Sequence, residues 1–225
     1  MSRLLIDGRW VDGESTDQLT DKYAGRVYGQ MAVASSAQVD EAVGAAQRAA
    51  HRIRMEPYAR YQALTGAARI IESRMRQLVD LLRDEAGFTR ADSENEVRRC
   101  AQTLELSGEE AKRLTGEMVP MEAGRGVKDR LGFTVRVPLG VICAITPFNS
   151  PLNTLAHKVG PALAGGNAVL IKPSAYTPLS AVELCKALID AGVPAELLTL
   201  LHGPGASLGR QLLADQRIAY YAFTG

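Results

Sequence analysis

From Gly140 onward the chain alternates short, uninterrupted apolar runs with amphipathic stretches. "GVICAI", "AVLIK", "LLTLL" and "IAYYAF" are separated by helical patterns near 152–163, 178–191 and 206–214. A strand that is apolar on both faces must be covered on both, which is the condition of a parallel sheet between helical layers. With right-handed crossovers, this predicts an α/β protein built on a Rossmann-like, doubly wound parallel sheet. In such a sheet the loops that follow the strands emerge together at the carboxyl edge, where α/β proteins bind ligands.

Three loops are placed on that edge: Thr146 to Ser150, Lys172 to Tyr176 and His202 to Ser207. In "TPFNSP", Pro147 and Pro151 stiffen the first loop around Asn149, whose amide donates two hydrogen bonds without changing charge. That suits a developing oxyanion, although Asn is equally a good turn residue. Lys172 closes a strand just before Pro173, beside the crevice, as a donor to ribose hydroxyls or phosphate or as a lysine that merely meets water. "HGPGASLG" spaces Gly203, Gly205 and Gly209 as GxGxxxG, which serves either a phosphate cradle or a tight strand-to-helix turn. Lys158, between the first two loops, reads as a supporting charge or a surface residue.

The first third of the chain reads as an appendage to this core. "RLLIDGRWVDG" carries Asp7-Gly8 and Asp12-Gly13, turn dipeptides that predict a small hairpin. "SSAQVDEAVGAAQRAAHRI" opens with a Ser35-x-x-Gln38 capping box and repeats Val39, Val43, Ala46, Ala50 and Ile53 at helical spacing. A second helix, expected to be the longest, runs from Pro57 to Gly87, and a third spans 92–116 with charge runs that read as a solvated face.

With 225 residues, 46% hydrophobic and 23% charged, the chain can bury a sizeable core, and a net charge of +1 gives no reason to expect a nucleic-acid or anionic-membrane partner. The N-terminus lacks a basic segment followed by an apolar stretch of about 7 to 15 residues, so a cytoplasmic protein is expected. The three cysteines, Cys100, Cys143 and Cys185, have wide, motif-free spacing and read as reduced, buried thiols, with no metal site.

"PLGVICAITPFNSP", "KVGPALAGGNAVLIKPSAYTPLS", "HGPGASLG" and the terminal "AFTG", in this order and spacing, resemble the aldehyde dehydrogenase superfamily over residues 138–225. The resemblance implies a Rossmann-like NAD(P)-binding core over 138–225, an association arm over 119–137, and the N-terminal part of the coenzyme domain over 1–118. It also implies roles: Asn149 as the oxyanion-hole amide, with Lys158 near the proton-handling groups. Ile145, Thr146 and Phe148 would border the nicotinamide, and Lys172 would bind the adenosine ribose. Gly205 and Gly209 would let the nucleotide lie against a helix, and Gly225 would begin a helix facing the pyrophosphate. The family often has an acidic residue where this chain has Ala175; with Ser174 as a donor, NADP becomes permissible beside NAD. Phe148 stands where many members have Trp, and "PFNSPLN" is similar to members acting on small polar or phosphorylated aldehydes.

Family chemistry uses a thiolate to attack the aldehyde, passes hydride to the dinucleotide, and releases the acid with a Glu-activated water. That Cys and Glu follow the "FTG" motif in the family, and none of the three cysteines here is placed to substitute. The resemblance therefore implies an N-terminal coenzyme-binding half, inactive alone, that forms a homo-oligomer, a dimer or tetramer, when complete, or pairs with a complementary C-terminal half. A truncated gene, a partial sequence and one member of a split pair all accord with this end, as does a catalytically silent nucleotide-binding or assembly module.

Overall fold

A computed structural model describes residues 2–225. The chain begins with the expected hairpin, β1 (Leu4–Ile6) and β2 (Arg9–Val11), turned by Asp7 and Gly8 at φ 49° and 73°, a left-handed pair that matches the twist of the strands. A second hairpin, β3 (Ser15–Thr20) and β4 (Val27–Val33), was not expected; the first four residues of β3 are exposed, so it carries no apolar alternation to read. Helix α1 (Ser36–Arg52) starts at the capping box: Gln38 N donates to Ser35 Oγ at 3.1 Å and Ser35 N to Gln38 Oε1 at 3.0 Å.

The single long helix expected from Pro57 to Gly87 is two, α2 (Pro57–Ser73) and α3 (Met75–Ala86). They separate at Arg74 (φ −93°, ψ 14°), where Ser73 Oγ donates back to the Ile70 carbonyl at 2.8 Å and the Arg74 guanidinium reaches Asp190 at 2.6 Å. The longest helix is instead α4 (Arg90–Ala111), which starts before the expected Asp92 because the Thr89 hydroxyl accepts from Asp92 N at 3.1 Å, and which ends before Gly116. Next comes a two-stranded arm, β5 (Met118–Val119) with β6 (Gly132–Phe133). Its apolar residues Leu131, Phe133, Val135 and Val137 are exposed, and the run from 134 to 140 is not a strand.

The predicted alternation follows as β7 (Val141–Ile145), α5 (Asn153–Ala164), β8 (Ala168–Lys172), α6 (Leu179–Asp190), β9 (Leu198–Leu200), α7 (Arg210–Leu213) and β10 (Tyr220–Phe223). A widened turn over Gly205–Gly209 precedes α7, which is shorter than the sequence pattern implied. The six strands order as β10-β7-β8-β9-β1-β2, and the first four are parallel. The N-terminal hairpin is therefore part of the sheet: Leu5 pairs with Leu200, antiparallel, so the sheet is mixed at that edge. Alternate residues of β7 and β8 serve two cores. Ile142, Ala144, Val169 and Ile171 pack toward α2–α6, while Val141, Cys143 and Leu170 pack toward α1 and α7. All three cysteines are buried and free, and burial raises each thiol, Cys143 and Cys185 to about 12. Among the described residues no helix is long and apolar enough to cross a membrane.

Candidate active site

Chain order runs from β7 through β8 to β9 in one direction, and β10 then returns to the opposite flank of β7. A reversal of this kind leaves the flanking loops pointing apart and opens a crevice at the carboxyl ends of β7 and β10. A cavity of about 870 Å³ lies there. It brings together Ile145, Thr146, Lys172, Ser174, Ala175, Gly205 and Gly209 from the predicted set. It also gathers Pro147 and Tyr176, which lie in the loops predicted for this edge, and Arg210, Leu213 and Phe223, which sequence reasoning missed. Arg210 had a legible signal, a cation directly after the glycine turn; Phe223 is placed only by the return of β10.

Lys172 is a buried cation on this wall. It is 6% exposed, its ammonium donates to the adjacent Pro173 carbonyl at 3.3 Å, and burial lowers its pKa. No carboxylate lines the cavity or pairs with this lysine among the described residues. A buried cation without an acid is poorly compensated, and an oxygen-rich ligand would complete it. A Cβ at Gly205 or Gly209 would meet no atom within 4 Å, so the glycine wall faces open space rather than packed backbone. The buried cation, the open glycine turn, Arg210 at the start of α7 and the apolar surfaces of Ile145, Leu213 and Phe223 fit a dinucleotide.

Phe148, Asn149, Lys158 and Gly225 do not line this cavity. Phe148 meets the Tyr176 ring edge-on at 5.8 Å between centroids, which ties the first loop to the second. Asn149, one residue on, is exposed. Lys158 of α5 donates to Thr224 Oγ1 at 2.7 Å, joining that helix to the end of β10 next to Gly225, and desolvation lowers its pKa.

What holds the two loops comes from the N-terminal helices. Helix α5 has no cap of its own, and Glu96 of α4 supplies one: its carboxylate accepts from Ser150 Oγ at 2.8 and 2.9 Å, from Asn153 N at 2.9 Å and from Leu152 N at 3.2 Å. Thr103, on the same helix, donates to Asn153 Oδ1 at 3.0 Å. Helix α6 likewise lacks a cap, and Glu85 of α3 accepts from Ser180 N at 3.0 Å, from Leu179 N and from Ser180 Oγ. Much of α4 does carry solvated ion pairs, such as Arg90 and Arg98 with Glu94, but Glu96, only 6% exposed, corrects the expectation of a uniformly solvated charged face.

Residues 10–225 match the aldehyde dehydrogenase family. The chain belongs to that family. It is 40% identical over 222 residues to a 3-sulfolactaldehyde dehydrogenase of Priestia aryabhattai, covering 99% of this chain and 46% of that protein. Its fold superimposes with a TM-score of 0.95, at 30% identity, on the NADP-dependent glyceraldehyde-3-phosphate dehydrogenase of Bacillus halodurans C-125 complexed with NADP, covering all of this chain and 48% of the other. An NAD-dependent benzaldehyde dehydrogenase from Corynebacterium glutamicum superimposes at 0.92 with 31% identity, covering all of this chain and 49% of the other. The chain thus spans about half the length of these aldehyde dehydrogenases.

Proposed function

We propose that this chain forms the coenzyme-binding half of an NAD(P)-dependent aldehyde dehydrogenase. The observation that carries the reading is the cavity at the strand reversal, with buried Lys172 and the open Gly205–Gly209 turn on its wall and no acidic side chain. A bound dinucleotide supplies the hydride acceptor. Lys172 and Ser174 would hold its ribose, the turn and Arg210 its phosphates, and Ile145 and Thr146 would border its nicotinamide. Asn149, on the loop that continues from Thr146, would donate its amide hydrogens to the oxyanion formed when a thiolate attacks the aldehyde carbonyl. Cys100, Cys143 and Cys185 are buried with raised pKa values, so none of them supplies that thiolate. The attacking Cys and the Glu that activates water would come from the complementary C-terminal half of the enzyme.

A small polar or phosphorylated aldehyde is the proposed substrate class. The "PFNSPLN" loop supports it, as do the names of the 3-sulfolactaldehyde and glyceraldehyde-3-phosphate dehydrogenases among the similar proteins. The exposed apolar arm over 119–137 supports association with a second copy. Calorimetric titration of the chain with NAD and NADP tests the site. Binding is expected, and Lys172→Ala should weaken it about tenfold, the loss of one charge-assisted hydrogen bond. Unchanged affinity in that variant would remove Lys172 from the site. The chain alone is expected to give no NAD(P)H with glycolaldehyde, lactaldehyde or propanal; turnover surviving replacement of all three cysteines would overturn the assigned mechanism.

A further inference from the structure

Glu85 is fully buried, yet its carboxylate belongs to no ion pair at hydrogen-bond distance among the described residues. Its partners are the first amides of α6 and the Ser180 hydroxyl. The loop that delivers α6 is the one that lines the cavity with Lys172, Ser174, Ala175 and Tyr176. That loop cannot cap the helix itself: Pro178 has no side-chain donor or acceptor, and the Thr177 hydroxyl is buried without a partner. The groups facing Glu85 are Ser180 of α6 and, from the β3–β4 hairpin, Lys22 and Tyr28; Asp21 and the adjacent Asp84 complete the cluster around Tyr28. Lys22 also stands 5.3 Å from the centroid of the Tyr176 ring, so one ammonium faces both the buried carboxylate and the cavity wall.

We propose that Glu85 is a positioning residue for the dinucleotide: ionised, it holds the 173–178 loop in its ligand-binding shape, and on gaining a proton it loosens that hold. An anion accepting several hydrogen bonds at a helix N-terminus is a stronger cap than a neutral acid, which must spend one oxygen as a donor. Burial pushes the Glu85 carboxyl up to about 7 despite three hydrogen bonds and Lys22, so the change falls in the neutral range. A loosened loop that leaves the carboxylate buried but strips those hydrogen bonds favours the protonated form still more, so deprotonation favours the held loop. Global unfolding, in contrast, hands the carboxylate to water and is favoured by rising pH. Nucleotide binding and deprotonation of Glu85 are then reciprocally linked.

The inference rests on the cavity being a nucleotide site, and the test separates the two. The chain and its Glu85→Gln variant are titrated with NAD and NADP at pH 6, 7 and 8 at constant ionic strength, and the Leu179 and Ser180 amide resonances of the unliganded chain are followed by NMR over the same range. In the wild type, affinity is expected to rise about fivefold from pH 6 to pH 8, an ordinary coupling magnitude. The two amides should shift with a midpoint near neutral pH, and Glu85→Gln should bind with little pH dependence. Affinity constant within twofold across the range, an equal pH slope in Glu85→Gln, or amides that do not titrate overturns the inference while leaving the site reading intact. Absence of binding at every pH overturns the site reading and the inference with it. The wild-type NMR titration decides whether Glu85 titrates at the helix end even if the variant does not fold.

Discussion

The loops after β7 and β8 are built alike and differ in what they present. Each follows a buried parallel strand, and each leads into a helix with no cap of its own. Each is then held by a buried glutamate from the N-terminal helices, Glu96 for the first and Glu85 for the second. The second loop turns its residues onto the cavity, whereas the first leaves the cavity at Pro147, crosses Tyr176 with Phe148 and exposes Asn149 beyond it. The difference teaches that one capping device serves two arrangements: a loop turned onto the cavity wall, and a loop that carries an exposed amide past it. It also shows that the N-terminal helical layer shapes the ligand edge rather than hanging from it.

The largest effect should come from the exposed end of the first loop. In a catalytically complete form of the enzyme, Asn149→Ala should lower turnover about 10²- to 10³-fold, the usual loss of one oxyanion donor, with nucleotide affinity held within twofold. Steady-state kinetics and a nucleotide titration measure the two; a loss under threefold would make Asn149 a turn residue and erase the distinction between the loops.

The two glutamates can next be compared through stability. Glu85 has a folded pKa raised to about 7 from an ordinary 4.5, so its contribution is fully present below the unfolded value and is lost as pH rises through 7. The change between pH 4 and 8 should approach about 3 kcal/mol, at 1.36 kcal/mol per pKa unit. Urea unfolding of the wild type and Glu85→Gln across this window should show the wild type losing ground to the variant as pH rises; parallel curves would mean that Glu85 does not titrate there.

Glu96→Ala should destabilise by about 1–3 kcal/mol, because it strips partners from the Ser150 hydroxyl and from the Leu152 and Asn153 amides at a buried helix end. Glu96→Gln, which keeps an acceptor in place, should lose less. Urea midpoints with hydrogen exchange at residues 152 and 153 would show the effect, and equal losses in the two variants would point to packing rather than capping.

The smallest effect concerns the second loop's surface. Ala175→Glu should weaken NADP at least about tenfold while changing NAD by less than threefold, since a carboxylate repels a 2′-phosphate but accepts from a 2′-hydroxyl. Equal changes in the two dissociation constants would show that residue 175 does not reach the 2′ position.

Much of the fold was legible in the sequence because local rules decide it. The Asp7-Gly8 turn, the Ser35 capping box, Pro57 at a helix start and the continuous apolar runs of β7 and β8 each follow from backbone preference or periodicity within a few residues. The same rules placed Lys172, Gly205 and Gly209 on one edge. Tertiary structure decided what local rules cannot reach. Glu85 in "RDEAG" and Glu96 in "SENEVRR" stand among other acids, and nothing in their spacing tells which carboxylate turns inward. Their partners lie 54 to 95 residues away, and only the packing of α3 and α4 against α5 and α6 brings them together. The break at Arg74, the joining of β1 to β9 and the return of β10 beside β7 are likewise decided by the partner each segment meets, because a helix end, a strand edge or a buried charge is stable only where another part of the chain completes its hydrogen bonds.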